Sequence, residues 1–233
     1  NGLTNGTPYF YKFFTRLGTV SSAGVEVSAT PVLASAATDY FRSVASGDWG
    51  TLATWQSSPD SSTWIAATLI PGATASHVVV QSPDSVYLTN ARTTANLTIM
   101  SGAKFDAGAF VLSSTNRFNL FGTAAYYQGG GTTIVPGVLR QLDPTSNYHF
   151  NGTQAGANGA YPEFGNVFWE PIASGNGTLQ NTVTTTAPFT NGLVIRGNMT
   201  INLRNAAPTE IRFATGASVL RSHFIAGNLN IIS

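Results

Sequence analysis

Residues 193–233 read LVIRGNMTINLRNAAPTEIRFATGASVLRSHFIAGNLNIIS. Two near-copies of one phrase stand inside this stretch, Gly197-Asn198-Met199-Thr200-Ile201 and Gly227-Asn228-Leu229-Asn230-Ile231. Each is a short apolar strand opened by a Gly-Asn turn. An earlier echo is Ala95-Asn96-Leu97-Thr98-Ile99, followed by the turn Ser101-Gly102-Ala103, and Thr215-Gly216-Ala217 repeats that turn. Short strands, repeated turns and no helical stretch between them describe a chain that winds. The pattern predicts an all-β fold, a right-handed parallel β-helix (solenoid).

Composition agrees with that reading. The chain has 233 residues, 42% of them hydrophobic, so a sizeable core can be buried. Only 9% are charged, against roughly 25% in average globular proteins. Gly, Thr, Ser and Asn take the place of Lys and Glu, and no segment carries the Ala, Leu, Glu, Lys and Arg mixture that helices prefer. Net charge is +1 and the 11 Lys and Arg are scattered singly, so no basic stripe exists for nucleic acid. No apolar run approaches the roughly 20 residues needed to span a bilayer as a helix. Cysteine is absent, which removes disulfides and thiolate metal sites together. The chain opens at Asn1 without an initiator Met and reads as part of a longer protein.

Residues 1–34 carry two strands. Tyr9, Tyr11 and Phe13 alternate with Phe10, Lys12 and Phe14, and Val25–Ala29 is the second strand. The phrase Gly2-Leu3-Thr4-Asn5-Gly6-Thr7-Pro8-Tyr9 resembles the end of a fibronectin type III domain. The resemblance implies that Tyr9 holds the tyrosine-corner position and that Val25–Pro31 is the last strand of a β-sandwich. Residues 35–39 read as a small-residue linker.

Residues 40–70 hold three of the four Trp: Trp49, Trp55 and Trp64. Phe41-Arg42-Ser43, Ser46-Gly47-Asp48-Trp49, Thr54-Trp55 and Ser58-Pro59-Asp60 with Trp64 resemble the opening of a module found in large secreted and surface proteins of the Bacteroidota. The resemblance implies a β-helical region over 40–233, entered through a Trp-rich cap and preceded by a fibronectin type III domain. It further implies an extracellular or cell-surface address reached by type IX secretion. The physics of the segment agrees, because bulky rings with polar edges suit the open face of a first coil. Beyond it, short strands are expected at 77–80, 86–88, 97–100, 110–112, 118–121 and 132–135, separated by Gly, Ser, Asn or Asp. Their spacing, roughly 20 residues per coil, obeys no strict hexapeptide or nonapeptide register.

Candidate sites are few. No Gly-x-Ser-x-Gly elbow and no Cys nucleophile is present. His77, His149 and His223 are isolated, without metal-ligand spacing, and no cofactor motif is read. Grouped acids with a basic residue are what polysaccharide lyases and hydrolases on β-helical folds use. Here the acids are Glu26, Asp39, Asp48, Asp60, Asp84, Asp106, Asp143, Glu163, Glu170 and Glu210. Lys104-Phe105-Asp106 places a cation and an acid on one strand face. The aromatic cluster at 148–169 offers Tyr148, Tyr161 and Trp169 as a stacking platform for sugars, or as filling for a wide coil. The resembled family, in which a phrase like Tyr148-His149-Phe150-Asn151-Gly152 recurs inside the solenoid, implies the latter. Asp84-Ser85-Val86 fits the Asp-Ser/Thr-apolar O-glycosylation pattern of the Bacteroidota, with Ser85 as acceptor. Asn5, Asn96, Asn151, Asn176 and Asn198 begin Asn-x-Thr triplets and read as turn residues.

The expected function is that of a non-catalytic structural or adhesive segment of a bacterial surface protein or filament. Its partners would be other copies of itself, neighbouring surface proteins or glycans. The alternative is a polysaccharide-binding or polysaccharide-degrading β-helix module.

Overall fold

A computed structural model describes residues 2–129, 136–151, 157–159, 163–170, 177–181, 193–202, 211–212 and 224–232. The chain divides into two compact units, Asn1–Ala34 and Ser35–Ser233. The described residues are all-β apart from one 3₁₀ turn, Leu52–Thr54, and no helix among them is long and apolar enough to cross a membrane.

In the first unit Tyr9–Phe13 pairs antiparallel with Val25–Ala29, Tyr11 facing Val27. A two-residue hairpin, Arg16–Leu17 with Val20–Ser21, projects between them. It turns at Gly18, whose φ of +60° suits a residue without a Cβ. The Tyr9 hydroxyl accepts a hydrogen bond from the Thr4 backbone N–H at 2.7 Å. Phe10, Phe13 and Val25 are each more than 60% exposed.

In the second unit the chain alternates between two large sheets as far as Asn147–Phe150; beyond it Ala157–Gly159, Gly177–Asn181 and Ile211–Arg212 form a three-stranded parallel sheet, and Val194–Ile195 pairs parallel with Phe224–Ile225. One large sheet holds, in spatial order, Gly47–Asp48, Ser85–Tyr87, Lys104–Asp106, Ala125–Gln128, Asn147–Phe150, Asn166–Trp169, Met199–Asn202 and Leu229–Ile232. All its pairings are parallel. The other runs Leu139–Leu142, Leu112–Leu120, Arg92–Ile99, His77–Val80, Tyr40–Ser43, Trp55–Ser58 and Ile65–Ala66. It is parallel up to Tyr40–Ser43, where Trp55–Ser58 and Ile65–Ala66 close its edge antiparallel. We refer to these as the eight-stranded and seven-stranded sheets.

Residues 35–39 belong to the second unit and do not behave as a free linker. The Ser35 and Ser57 hydroxyls share a 2.8 Å hydrogen bond, and Asp39 Oδ2 accepts from the Ala36 N–H at 2.9 Å. Small polar side chains let this segment lie flat against the cap.

The core follows from the strand period of two. Inward columns Val86–Phe105–Tyr126–Tyr148–Val167–Met199 and Phe41–Val78–Leu97–Phe118 are buried at every rung. The second column continues to Arg140, which is half-buried. At the capped end Trp49 and Trp55 are fully buried and meet edge to face at 5.0 Å. Each ring N–H is satisfied by a carbonyl, Trp49 by Pro71 and Trp55 by Trp49.

The Gly-Asn phrases form a ladder along the stack. Asn166 Oδ1 accepts the Asn198 N–H at 2.8 Å, and Asn198 Oδ1 accepts the Asn228 N–H at 2.8 Å. Beneath them Asn166 donates to Asn147 Oδ1 at 3.1 Å. The glycine beside each Asn is dictated by this contact. A Cβ on Gly197 would collide with Asn166 Oδ1, and one on Gly227 would stand 2.7 Å from the Gly197 carbonyl. Gly197→Ala should therefore destabilise the second unit by about 1–3 kcal/mol, as overpacking does. Gly72→Ala, where an added Cβ meets nothing within 4 Å, should stay within about 0.5 kcal/mol. Thermal denaturation of both variants checks the difference, and equal midpoints would contradict the ladder.

Candidate functional site

The densest chemistry among the described residues lies on the outward face of the eight-stranded sheet. Parallel register stacks Tyr87, Asp106, Tyr127, His149, Phe168 and Thr200 in one column, with Ser85, Lys104, Ala125, Asn147 and Asn166 beside it. Tyr127 and His149 stack with centroids 4.0 Å apart and planes 9° from parallel; His149 and Phe168 follow at 4.3 Å and 8°. Lys104 Nζ sits 4.1 Å from the Tyr127 ring centre and 3.6 Å from Asp106 Oδ2. The cation and acid expected on one strand face are thus together, across a gap too exposed to contribute more than about 1 kcal/mol.

His149 Nδ1 lies 2.9 Å from Glu170 Oε2. Burial holds the imidazole below its ordinary value, and the Glu170 contact opposes that effect without reversing it. The ring is neutral at pH 7, so Nδ1–H donates to a carboxylate and the contact is a hydrogen bond more than an ion pair. The Tyr127 phenol is pushed up, first by burial and then by the Glu170 and Asp106 charges.

This arrangement is better suited to holding rungs together than to gripping a sugar. A carbohydrate platform needs an open ring face. Here the faces of Tyr127, His149 and Phe168 cover one another, and Lys104 covers the far side of Tyr127. Aromatic pairs of this kind are worth about 0.5–1.5 kcal/mol each.

Of the three residues offered either as a glycan platform or as filling, two take the filling role. Tyr148 and Trp169 are each 1% exposed. The pleat turns them inward, where the Tyr148 hydroxyl donates to Gln128 Oε1 and the Trp169 ring packs 5.3 Å from Phe150. They fill the core and offer no surface. Tyr161 and His223 lie outside the described residues. Ser85 is half-buried in its strand, its N–H donating to Ser46 Oγ at 2.9 Å. Its neighbour Asp84 accepts from the Ser43 hydroxyl and Val86 is fully buried. His77 stands on the outward face of the seven-stranded sheet, its Nε2 2.8 Å from Thr98 Oγ1. Among the described residues no three His, Asp or Glu side chains are grouped to hold a metal ion.

The ladder itself was hidden in adjacent aromatic pairs: Tyr126-Tyr127, Tyr148-His149 and Phe168-Trp169. In each pair one ring points in and the other out, and superposing the pairs would have disclosed the outer column.

His77 and His149 both have lowered values in the folded chain, the first through burial and the Arg117 charge. The unfolded chain therefore binds protons that the folded chain refuses as pH falls through about 6.5. Stability carried by these neutral rings is present above that pH and is lost below it. The thermal midpoint should drop between pH 7.5 and 5.5, and less steeply in His149→Phe, which keeps the stack and removes one titrating ring. A variant with an unchanged slope would refute the assignment.

No family model, no curated protein and no solved structure matches this chain.

Proposed function

We propose that residues 35–233 wind as a right-handed parallel β-helix and act as a non-catalytic structural or adhesive segment of a large extracellular bacterial protein. The role is that of a stalk or display surface, with copies of itself, neighbouring surface proteins or glycans as partners. The carrying observation is the eight-stranded sheet, in which each strand after the first returns parallel to the one before; as far as Asn147–Phe150 the intervening chain joins the seven-stranded sheet, and beyond it other strands that also pair parallel. Right-handedness is the rule for such parallel returns. Stacked coils that pair only with their neighbours resist extension through many backbone hydrogen bonds acting together.

Three further features support the reading. The outer face of the eight-stranded sheet is occupied by mutually covering rings and amides. The low-charge exterior of Thr, Asn and Ser offers many weak polar contacts. In the first unit, the Tyr9–Thr4 contact and the antiparallel pair suit the end of a fibronectin type III domain, a frequent companion of extracellular modules.

Single-molecule stretching tests the mechanical part. Rung-to-rung contacts recur after 19, 22, 30 and 32 residues, so peeling one rung should release roughly 60–115 Å of chain. Stepwise increments of that size are expected; a single all-or-none release would contradict the proposal. Antibodies raised against 35–233 should label intact source cells. Labelling confined to lysed cells would remove the extracellular assignment.

A further inference from the structure

The outward face of the seven-stranded sheet carries a groove of about 550 Å³ on the opposite set of strands from the aromatic ladder. Its floor is polar and buried: Thr98 is 3% exposed and Asn119 4%. Parallel register places Asn119 directly over Thr98. Asn119 Nδ2 donates to Thr98 Oγ1 at 3.2 Å, and Thr98 Oγ1 lies 2.8 Å from His77 Nε2. When Asn119 donates to Thr98 and Thr98 donates onward to the neutral His77, the chain of hydrogen bonds runs in one direction. It leaves an acceptor at the Asn119 end and a ring N–H donor at the His77 end.

That acceptor, Asn119 Oδ1, has no hydrogen-bond partner although the atom is buried. An unpaired buried acceptor costs about 1–3 kcal/mol, and native structures rarely leave one without reason. Above the floor, Arg117 is exposed, and its guanidinium meets no carboxylate within ion-pair distance among the described residues. Its charge nonetheless reaches His77, whose imidazole is held down first by burial and then by Arg117. Met100 and Phe121 supply an apolar wall.

We propose that this groove binds one acidic sugar residue of a polysaccharide, a uronate, with its carboxylate on Arg117, a hydroxyl donating to Asn119 Oδ1 and its apolar face against Phe121 and Met100. The chemistry selects this class. A guanidinium without a carboxylate favours an anion, and its fork matches a carboxylate. The orphaned oxygen requires a donor, which sulfate does not provide, and the apolar wall has no use in binding a bare inorganic anion. A small shift of the exposed Met100 and Arg117 side chains opens the path to it. Amide, hydroxyl and imidazole on one floor can each give or take a hydrogen bond, which suits sugar hydroxyls.

Calorimetry on the whole chain tests this with three probes: trimers of galacturonate, trimers of mannuronate, and a glucuronate-containing chondroitin hexasaccharide. At least one should bind, and its methyl ester, which keeps the shape and loses the charge, should bind at least about 10-fold more weakly. Arg117→Gln should weaken the acid about 10-fold and leave the ester unaffected, at an unchanged thermal midpoint, since this side chain is exposed. Lys104→Gln, on the other sheet, should leave binding as it was. Failure of all three acids to bind, equal binding of acid and ester, or indifference to Arg117→Gln would each overturn the site. None of those results bears on the mechanical role, which stretching tests separately.

Discussion

Parallel register is the constraint on which the rest of this structure depends. A strand that returns parallel to its predecessor, in step, sets each side chain over the one a coil earlier. Like must therefore tolerate like. Inward columns become stacks of apolar residues and rings, and outward columns become ladders of whatever chemistry can face itself at strand spacing. Amides do this well because each can both give and take a hydrogen bond. Asn147, Asn166, Asn198 and Asn228 form one such ladder, and Asn116 donating to Asn96 Oδ1 at 2.8 Å begins another. Aromatic rings also do it well, as Tyr127, His149 and Phe168 show. Like charges do not, which accounts for a composition with so few of them.

The two ends of the interior are treated differently. At the beginning, Trp49 and Trp55 plug the space and antiparallel strands cover the edge of the seven-stranded sheet. The edge that remains, Ile65–Ala66, is only two residues long, which offers little to another strand. At Leu229–Ile232 the inward-facing residues Leu229 and Ile231 are 52% and 65% exposed.

Much of this was legible before any coordinates. Gly197-Asn198 and Gly227-Asn228 announced strands that recur, and the structure pairs them in register. Lys104 and Asp106 were readable as one face because two residues separate them. Trp49 and Trp55 drew notice by their crowding, and the structure buries both in edge-to-face contact. What escaped had physical reasons. Gly165-Asn166 belongs to the same ladder, but Val167-Phe168-Trp169 disguised it as part of an aromatic patch. Tyr148 and Trp169 could be read either as surface rings or as filling because both faces of their strands are aromatic, and a period of two cannot then say which face is wet. Residues 35–39 looked like a linker by composition, yet small side chains were what let them lie against the cap. The groove at Thr98 and Asn119 was invisible because its members come from three strands distant in sequence and carry no motif.

The spacing of the asparagine contacts carries a last implication. From Asn147 to Asn166 the interval is 19 residues; from Asn166 to Asn198 it is 32, and from Asn198 to Asn228 it is 30. The two longer intervals end in backbone contacts of the same 2.8 Å length. The rungs are thus blind to how much chain is spent between them, so long as the polypeptide comes home to the next glycine. The glycine and asparagine at each return, rather than the count of residues between returns, are therefore what a designer who wished to extend the array would have to copy.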